Sequence, residues 1–198
     1  MIAKDYCLRH TELAYSATPR HARAIMQKHP SDWRPPACWH PAATHWRLAP
    51  PAVWRSWLNE PGSLTARLQR KAQGHLRVRV LHEGWAVPHL EERRQLGLKT
   101  GQYAWVREVQ LLNGDAIWVQ ARSILPRSSL TGMGRRLTRL GNQSLGSVLF
   151  RNPALVRGDI ACARVTLANG TCWARRSRLT LHGHPVLVAE AFMPALLD

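Results

Sequence analysis

Acidic residues are scarce in this sequence, and their scarcity makes each of them informative. The 198 residues include 12 Asp and Glu against 28 Lys and Arg, which gives a formal net charge of +16. So basic a chain favours anionic partners, whether nucleic acid, an acidic lipid or a small polyanion, and does not choose among them. A carboxylate placed among apolar residues in such a chain therefore calls for an explanation.

Long apolar runs and closely spaced cysteines are also missing. No stretch of about 18 apolar residues occurs, so we expect no membrane span, and the first 20 residues lack the apolar segment of a secretory signal. Cys7, Cys38, Cys162 and Cys172 form no pair with the spacing of a zinc or redox motif. We therefore expect a cytoplasmic protein with free thiols and no metal site.

The character of the chain changes near residue 45. Residues 1–45 are rich in His, Pro and Arg without sustained periodicity, so we expect a poorly ordered N-terminal extension. Residues 46–198 are long enough for one domain with a sizeable core. In this part the patterns predict helices at 51–58, 64–72, 133–140 and 144–150, a loop at 89–100, and strands at 75–81, 102–112, 116–125, 156–167, 171–181 and 185–194.

These segments predict an α+β fold, in which an antiparallel sheet of about six strands carries inserted short helices. Asn113-Gly114 between two alternating runs is a strong hairpin signal. Ser63 is placed to cap the second helix, and Gly84 is expected to interrupt the first strand.

One of the few carboxylates lies in the last predicted strand, which is otherwise apolar. With a period of two, Glu190 shares a face with Val186, Val188 and Phe192. A carboxylate on such a face is costly unless a cation or hydrogen-bond donors pair with it. We interpret Glu190 as part of a site.

A second charge interrupts the apolar face of the strand at 102–112. Alternation puts Arg107 on one face together with Tyr103, Trp105, Val109 and Leu111. A buried Arg needs a carboxylate, which it can bind through two parallel hydrogen bonds. Its partner could be Glu190 or a ligand, and an internal Arg–Glu ion pair or an exposed face is the simpler alternative.

Several segments in this order resemble the chorismate lyase family. The two most specific are Trp173-Ala174-Arg175-Arg176-Ser177-Arg178-Leu179 and Glu190-Ala191-Phe192-Met193-Pro194. The supporting segments are Glu83-Gly84-Trp85, Trp105-Val106-Arg107-Glu108-Val109 and the run from Leu140 to Phe150. The resemblance extends over roughly residues 46–198. Members of that family split chorismate into 4-hydroxybenzoate and pyruvate at the entry to bacterial ubiquinone biosynthesis.

The resemblance implies a closed internal pocket and assigns its residues. Arg107 is expected to bind the ring carboxylate together with backbone N–H groups at Leu145 and Leu64, the latter where the family usually has Met. Glu190 is expected to reach the hydroxyl at the far end of the ring. Arg107 and Glu190 are thus the expected catalytic residues of a monomeric enzyme that needs neither cofactor nor metal.

The second carboxylate of chorismate, on its enolpyruvyl arm, needs a donor of its own. The candidates are Arg77, Arg79, Arg122 and the run Arg175–Arg178, and the sequence does not choose among them. It also leaves open whether Glu190 transfers a proton or only forms a hydrogen bond.

Two other functions compete with this interpretation. A non-catalytic metabolite-sensing domain of the same fold is one, although residues 1–45 are too short and too rich in Pro for the DNA-binding domain that normally precedes such sensors. A basic nucleic-acid-binding protein is the other, suggested by the net charge and by Arg175-Arg176-Ser177-Arg178. No nucleic-acid-binding motif accompanies these residues, so we expect no nucleic-acid partner.

Overall fold

A seven-stranded antiparallel sheet with short helices on both faces forms the body of the protein. The computed structural model describes residues 33, 36, 38–41, 50–167 and 170–198. The strands are β1 (His40–Pro41), β2 (Leu76–Ala86), β3 (Ala104–Asn113), β4 (Ala116–Pro126), β5 (Leu155–Leu167), β6 (Gly170–Leu181) and β7 (His184–Phe192). Their order across the sheet is β1-β5-β6-β7-β4-β3-β2, with every neighbouring pair antiparallel. The predicted α+β class and antiparallel sheet are confirmed.

Four short α-helices cover the sheet. They are α1 (Ala52–Leu58), α2 (Leu64–Lys71), α3 (Leu90–Leu96) and α4 (Leu145–Leu149), with 3₁₀ helices at Arg127–Leu130, Gly132–Thr138 and Pro194–Leu196. Within the described residues no helix is both long and apolar enough to cross a membrane.

The two faces of the sheet are covered differently. We call the inner face the one that packs against α1, α2 and α4, and the outer face the one that packs against α3. On the inner face, Leu64 and Leu68 of α2 pack with Val109 and Leu111 of β3 and with Phe192 of β7. On the outer face, Leu96 at the end of α3 packs with a separate set of strand residues, namely Ala104, Val106, Ile124 and Leu187.

Most predicted elements lie where the patterns put them, and three differ. The segment 89–100, predicted as a loop, contains α3, because Glu92 accepts a hydrogen bond from the backbone N–H of His89 and Gly97 ends the helix in the left-handed conformation. The helix predicted at 133–140 is 3₁₀ rather than α. Strand β2 continues through Gly84, with its irregularity between Val80 and His82 instead.

Most of the predicted N-terminal extension, residues 1–45, lies outside the described residues. Within it, Trp33 is only 4% exposed and packs against Val165 and Met193, and β1 pairs with β5. Cys38 is in a disulfide bond, so the expectation of a free thiol is wrong there. It holds for Cys162 and Cys172, which are free and buried.

Candidate active site

A row of mostly polar side chains crosses the inner face of the sheet. The strand register aligns one residue from each of five consecutive strands, from β2 to β6 across the sheet: Glu83, Arg107, Ser123, Val188 and Ser177. The next row toward the C-terminus of β7 contains Ala121, Glu190 and Arg175. Both residues singled out by alternation therefore lie on the inner face, among the apolar neighbours that the pattern predicted.

Arg107 is fixed by three hydrogen bonds and keeps one donor without a partner. Its side chain is 1% exposed, and Nη1 donates to Glu83 Oε1 at 2.7 Å. Nη2 donates to the backbone oxygens of Gly141 at 2.6 Å and Gln143 at 2.9 Å. Gly141 has a φ of +54°, a conformation that glycine adopts without strain. The buried Nε has no hydrogen-bond partner among the described residues.

Glu190 is paired with Arg175 and not with Arg107. Arg175 Nε donates to Glu190 Oε2 at 2.6 Å, and the glutamate side chain is 16% exposed. No hydrogen bond from the described residues reaches Glu190 Oε1, so this oxygen can meet a ligand. Of the alternatives for Arg107, pairing with Glu190 is wrong, because β4 separates their strands. Each residue instead forms an internal Arg–Glu ion pair, as the simpler alternative predicted.

Arg175 is fully buried and anchored to the end of α1. Its Nη1 donates to three backbone oxygens there, those of Trp57 at 3.3 Å, Leu58 at 3.4 Å and Glu60 at 2.8 Å. Its Nη2 has no partner among the described residues. Arg175 thus fixes the Glu190 carboxylate and joins the sheet to the helices that cover it.

Arg157 completes the polar part of the inner face and was missed by sequence reasoning. Nη1 donates to Ser177 Oγ at 2.9 Å and Nη2 to the Gly62 backbone oxygen at 3.2 Å, while its guanidinium carbon lies 4.9 Å from the centre of the Phe150 ring. Its buried Nε has no partner among the described residues. Burial, together with the nearby charge of Arg175, lowers the pKa of Arg157 from its ordinary value, and Glu190 and Glu60 oppose this decrease.

A β-bulge explains why alternation failed to find Arg157. Arg157 pairs with Leu179 and Ile160 pairs with Ser177, so Gly158 and Asp159 together oppose a single residue of β6. Arg157 and Ile160 consequently share the inner face, although strict alternation would put them on opposite faces. A glycine inside a strand is a sequence signal for such a bulge, so Gly158 could have indicated that Arg157 turns to the inner face.

Leu64 and Leu145 are the first residues of α2 and α4, and both are buried. The serine before each helix caps it: Ser63 Oγ accepts from the N–H of Ala66, and Ser144 Oγ accepts from the N–H of Ser147. These caps leave the N–H groups of Leu64 and Leu145 free of the intrahelical pattern, as is usual in the first turn.

The starts of the two helices are also joined to each other. Ser144 Oγ donates to Thr65 Oγ1 at 2.8 Å, a contact that we call the helix latch. A Cβ atom at Gly146 would come within 3.1 Å of the same Thr65 oxygen, so the two helices approach closely beside the site.

The outer face carries a separate group of buried charges. Arg122 forms two hydrogen bonds to Glu92, at 2.7 and 3.1 Å, and a third to Glu108. Burial by itself lowers the pKa of Arg122, but Glu92 and Glu108 raise it above its ordinary value. Arg122 is therefore internally neutralised and lies on the side of the sheet away from Arg107.

The other candidates for the second carboxylate are distributed over the molecule. Arg77 and Arg79 are exposed on β2, at the edge of the sheet within the described residues, where Arg77 pairs with Asp115. Arg176 pairs with Glu91 on the outer face, and Arg178 is exposed. Of the candidates drawn from the sequence, only Arg175 lies on the inner face.

The inner face therefore resembles the binding site of an anionic small molecule. The guanidinium groups of Arg107 and Arg175 are buried and that of Arg157 is half-buried. Each of the three has a buried N–H without a partner among the described residues, and the carboxylate of Glu190 lies on the same face. In a small α+β protein, such a group of donors beside a carboxylate is chemically suited to an anion that also carries a hydroxyl or similar donor.

The chain belongs to the chorismate lyase family, whose sequence profile matches residues 35–198. Relatives named probable chorismate pyruvate-lyase include a protein of Pseudomonas aeruginosa, 43% identical over 155 residues, or 75% of this chain and 86% of the relative. Another, from Nitrosospira multiformis, is 37% identical over 174 residues, or 81% and 94%.

Solved structures with a more distant likeness include the ligand-binding domain of a putative GntR-family transcriptional regulator from Bordetella bronchiseptica. The identity is 15% and the TM-score 0.46, over 61% of this chain and 90% of that one. A likeness at this level assigns no function.

Proposed function

We propose that the protein is a chorismate lyase, which converts chorismate into 4-hydroxybenzoate and pyruvate. The observation that carries the proposal is that Arg107 and Glu190 lie on the same face of the sheet. Arg107 has an unpartnered Nε, and Glu190 has an Oε1 that accepts no hydrogen bond from the described residues. Membership of the family and the names of the relatives support the same reaction. In this proposal the enzyme works as a monomer in the cytoplasm, and its product serves ubiquinone biosynthesis.

Arg107 and Glu190 are placed to hold opposite ends of one ring. Only β4 lies between their strands, so their backbones are separated by two strand spacings, about 10 Å across the sheet. Both side chains extend into the space above it. Arg107 binds the ring carboxylate, assisted by the N–H groups of Leu64 and Leu145, and Glu190 accepts the hydrogen bond of the para hydroxyl.

The reaction needs positioning more than it needs a chemical group from the protein. The bond between C3 of the ring and the ether oxygen breaks, and its electron pair forms the carbonyl of pyruvate. The hydrogen on C4 moves as a proton to the methylene carbon of the departing arm, where the electron pair of the arm's C=C bond forms the new C–H bond. The electrons of the C4–H bond complete the aromatic ring. Because atoms and electrons balance within the substrate, no cofactor is required, and the protein acts by orienting the arm against C4 and excluding water.

The ion pairs of the inner face order its arginines before a substrate binds. Of Arg107, Arg157 and Arg175, two are already paired with internal carboxylates: Arg107 with Glu83 and Arg175 with Glu190. These pairs hold the guanidinium groups in place before the substrate arrives, and such preorganisation spares the cost of ordering them during binding.

The test is to incubate the purified protein with chorismate and no additives, and to quantify 4-hydroxybenzoate and pyruvate. We expect equal amounts of both, and near-complete loss of activity in Arg107→Ala, because the ring carboxylate would be buried without its cation. Arg79→Ala is the matched control, since it removes an exposed arginine from the neighbouring strand and should leave activity unchanged.

Absence of product from the wild-type protein would refute the proposal. If 4-hydroxybenzoate still raised the unfolding temperature in that case, the protein would be a sensor that retains the pocket. Near-normal kinetics of Arg107→Ala would refute the assigned site while leaving the reaction in place.

A further inference from the structure

The balance of charge on the inner face leaves one arginine without a carboxylate. Arg107 pairs with Glu83, and Arg175 pairs with Glu190. Nearby, Glu60 is paired with Arg67. Arg157 has no acidic group within 4.0 Å among the described residues. A half-buried cation without a counter-charge is costly, so its presence indicates an anion that arrives from outside.

The position of Arg157 fits one particular group of the proposed substrate. Its hydrogen bond to Ser177 puts it at the β6 end of the polar row, whereas Arg107 lies near the opposite end, on β3. Glu190, on β7, lies between the two, close enough for its charge to act on Arg157. In chorismate the enolpyruvyl arm is attached to C3, next to the C4 hydroxyl and away from the ring carboxylate. When Arg107 holds the ring carboxylate and Glu190 the hydroxyl, one of the two orientations of the ring about its C1–C4 axis directs the arm toward the Arg157 side of the site.

We propose that Arg157 binds the carboxylate of the enolpyruvyl arm, an inference that rests on the proposed lyase function. Its two other anchors, Ser177 Oγ and the Gly62 oxygen, hold the guanidinium in place and leave Nε to donate. Arg175 is less suited to this role because Glu190 already neutralises it. The bulge at Gly158 turns this arginine of β5 to the inner face.

This role distinguishes Arg157 from Arg107 and Glu190 in a measurable way. The groups bound by Arg107 and Glu190 remain on 4-hydroxybenzoate, whereas the carboxylate bound by Arg157 leaves with pyruvate. Substitution of Arg157 should therefore weaken the use of chorismate and leave the binding of 4-hydroxybenzoate unchanged, and a residue that merely supports the fold would not separate the two.

The experiment compares Arg157→Gln, Arg157→Lys and the wild-type protein. For Arg157→Gln we expect kcat/KM for chorismate to fall by about 10- to 100-fold, the usual effect of losing a charged hydrogen bond. The inhibition constant of 4-hydroxybenzoate should stay within about twofold of the wild-type value. Arg157→Lys keeps the charge and should recover part of the loss. Arg164→Gln is the matched control, because Arg164 is exposed on the same strand, and it should behave like the wild-type protein.

Three results would overturn the inference. Equal weakening of chorismate use and of 4-hydroxybenzoate inhibition would make Arg157 a structural residue, and unchanged kinetics in both variants would remove it from the site. If Arg157→Gln does not fold, the same comparison with Arg157→Lys decides, since any loss there must again be confined to chorismate. A wild-type protein that releases no product would refute the lyase function, and the inference about Arg157 would fall with it.

Discussion

Removal of Arg122 tests whether the buried charges on the outer face are structural. The substitution Arg122→Met keeps much of the side-chain volume and leaves the carboxylates of Glu92 and Glu108 without their cation. All three side chains are at most 5% exposed. One oxygen of Glu108 already has no partner among the described residues, so no spare donor is at hand to replace the guanidinium.

The size of the effect follows from the geometry. The 2.7 Å contact between Arg122 and Glu92 corresponds to about 6 kcal/mol of attraction at an effective dielectric constant of about 20. Desolvation of the ions offsets much of this attraction while all three are present. Without Arg122 the desolvation cost of the two carboxylates remains while the attraction is lost. Removing one partner of a buried ion pair in this way lowers the free energy of unfolding by about 3–5 kcal/mol.

Urea unfolding followed by circular dichroism measures this change. With a denaturant slope of about 2 kcal/mol/M, a loss of 4 kcal/mol lowers the midpoint by roughly 2 M. At a temperature where the variant is folded, KM for chorismate should be unchanged, because Arg122 lies on the face away from the site. Arg79→Met is the control for a charge lost at the surface.

A loss below about 1 kcal/mol, the range of exposed ion pairs, would refute this reasoning. Replacing Arg122, Glu92 and Glu108 together by apolar residues of similar volume should recover most of the stability, since no uncompensated charge then remains. Failure to recover it would show that the ion pairs stabilise the fold by more than the cost of desolvating the three charges.

Three further predictions concern the site and the thiols. Glu190→Gln should reduce kcat. It should weaken inhibition by 4-hydroxybenzoate less than Arg107→Ala does, because the ring carboxylate keeps its anchor at Arg107. Steady-state inhibition kinetics that rank the two variants the other way would contradict this prediction. Since Arg107 and Glu190 contact groups that survive in the product, we expect turnover limited by release, seen as a product burst in rapid-quench experiments and an inhibition constant for 4-hydroxybenzoate no higher than KM. Burial raises the pKa of Cys162 and Cys172 to about 11, so both thiols should be inert to a disulfide-exchange reagent at pH 8 until urea unfolds the chain, and rapid labelling of the native protein would refute their burial.

Alternation predicted part of the site because β3 and β7 keep a regular period of two around Arg107 and Glu190. Arg107 and Glu190 lie on the inner face as their apolar neighbours indicated, and Ser63 caps its helix as predicted. These features depend on residues close together in sequence, where backbone geometry alone decides which side chains share a face.

The partners of these residues could not be predicted in the same way. Pairing of Arg107 with Glu83 depends on the register between β2 and β3, which shifts by one residue between Val80 and His82. Arg157 is turned inward by a bulge that breaks the period of two. Arg122 lies in a strand buried on both faces, whose residues from Trp118 to Pro126 are all buried, so no polar alternation marks its side.

The helix latch between Ser144 and Thr65 has a consequence for how molecules enter and leave. Arg107, Glu190 and Arg175 lie on paired strands of the sheet. In contrast, α2 and α4 are joined to each other by a neutral hydrogen bond of about 1 kcal/mol, and their apolar residues belong to separate core clusters. Separating these two helices costs far less than unfolding the sheet. We therefore expect ligands of the proposed site to enter and leave through a local separation of α2 from α4, while Arg107, Glu190 and Arg175 keep their positions on the sheet.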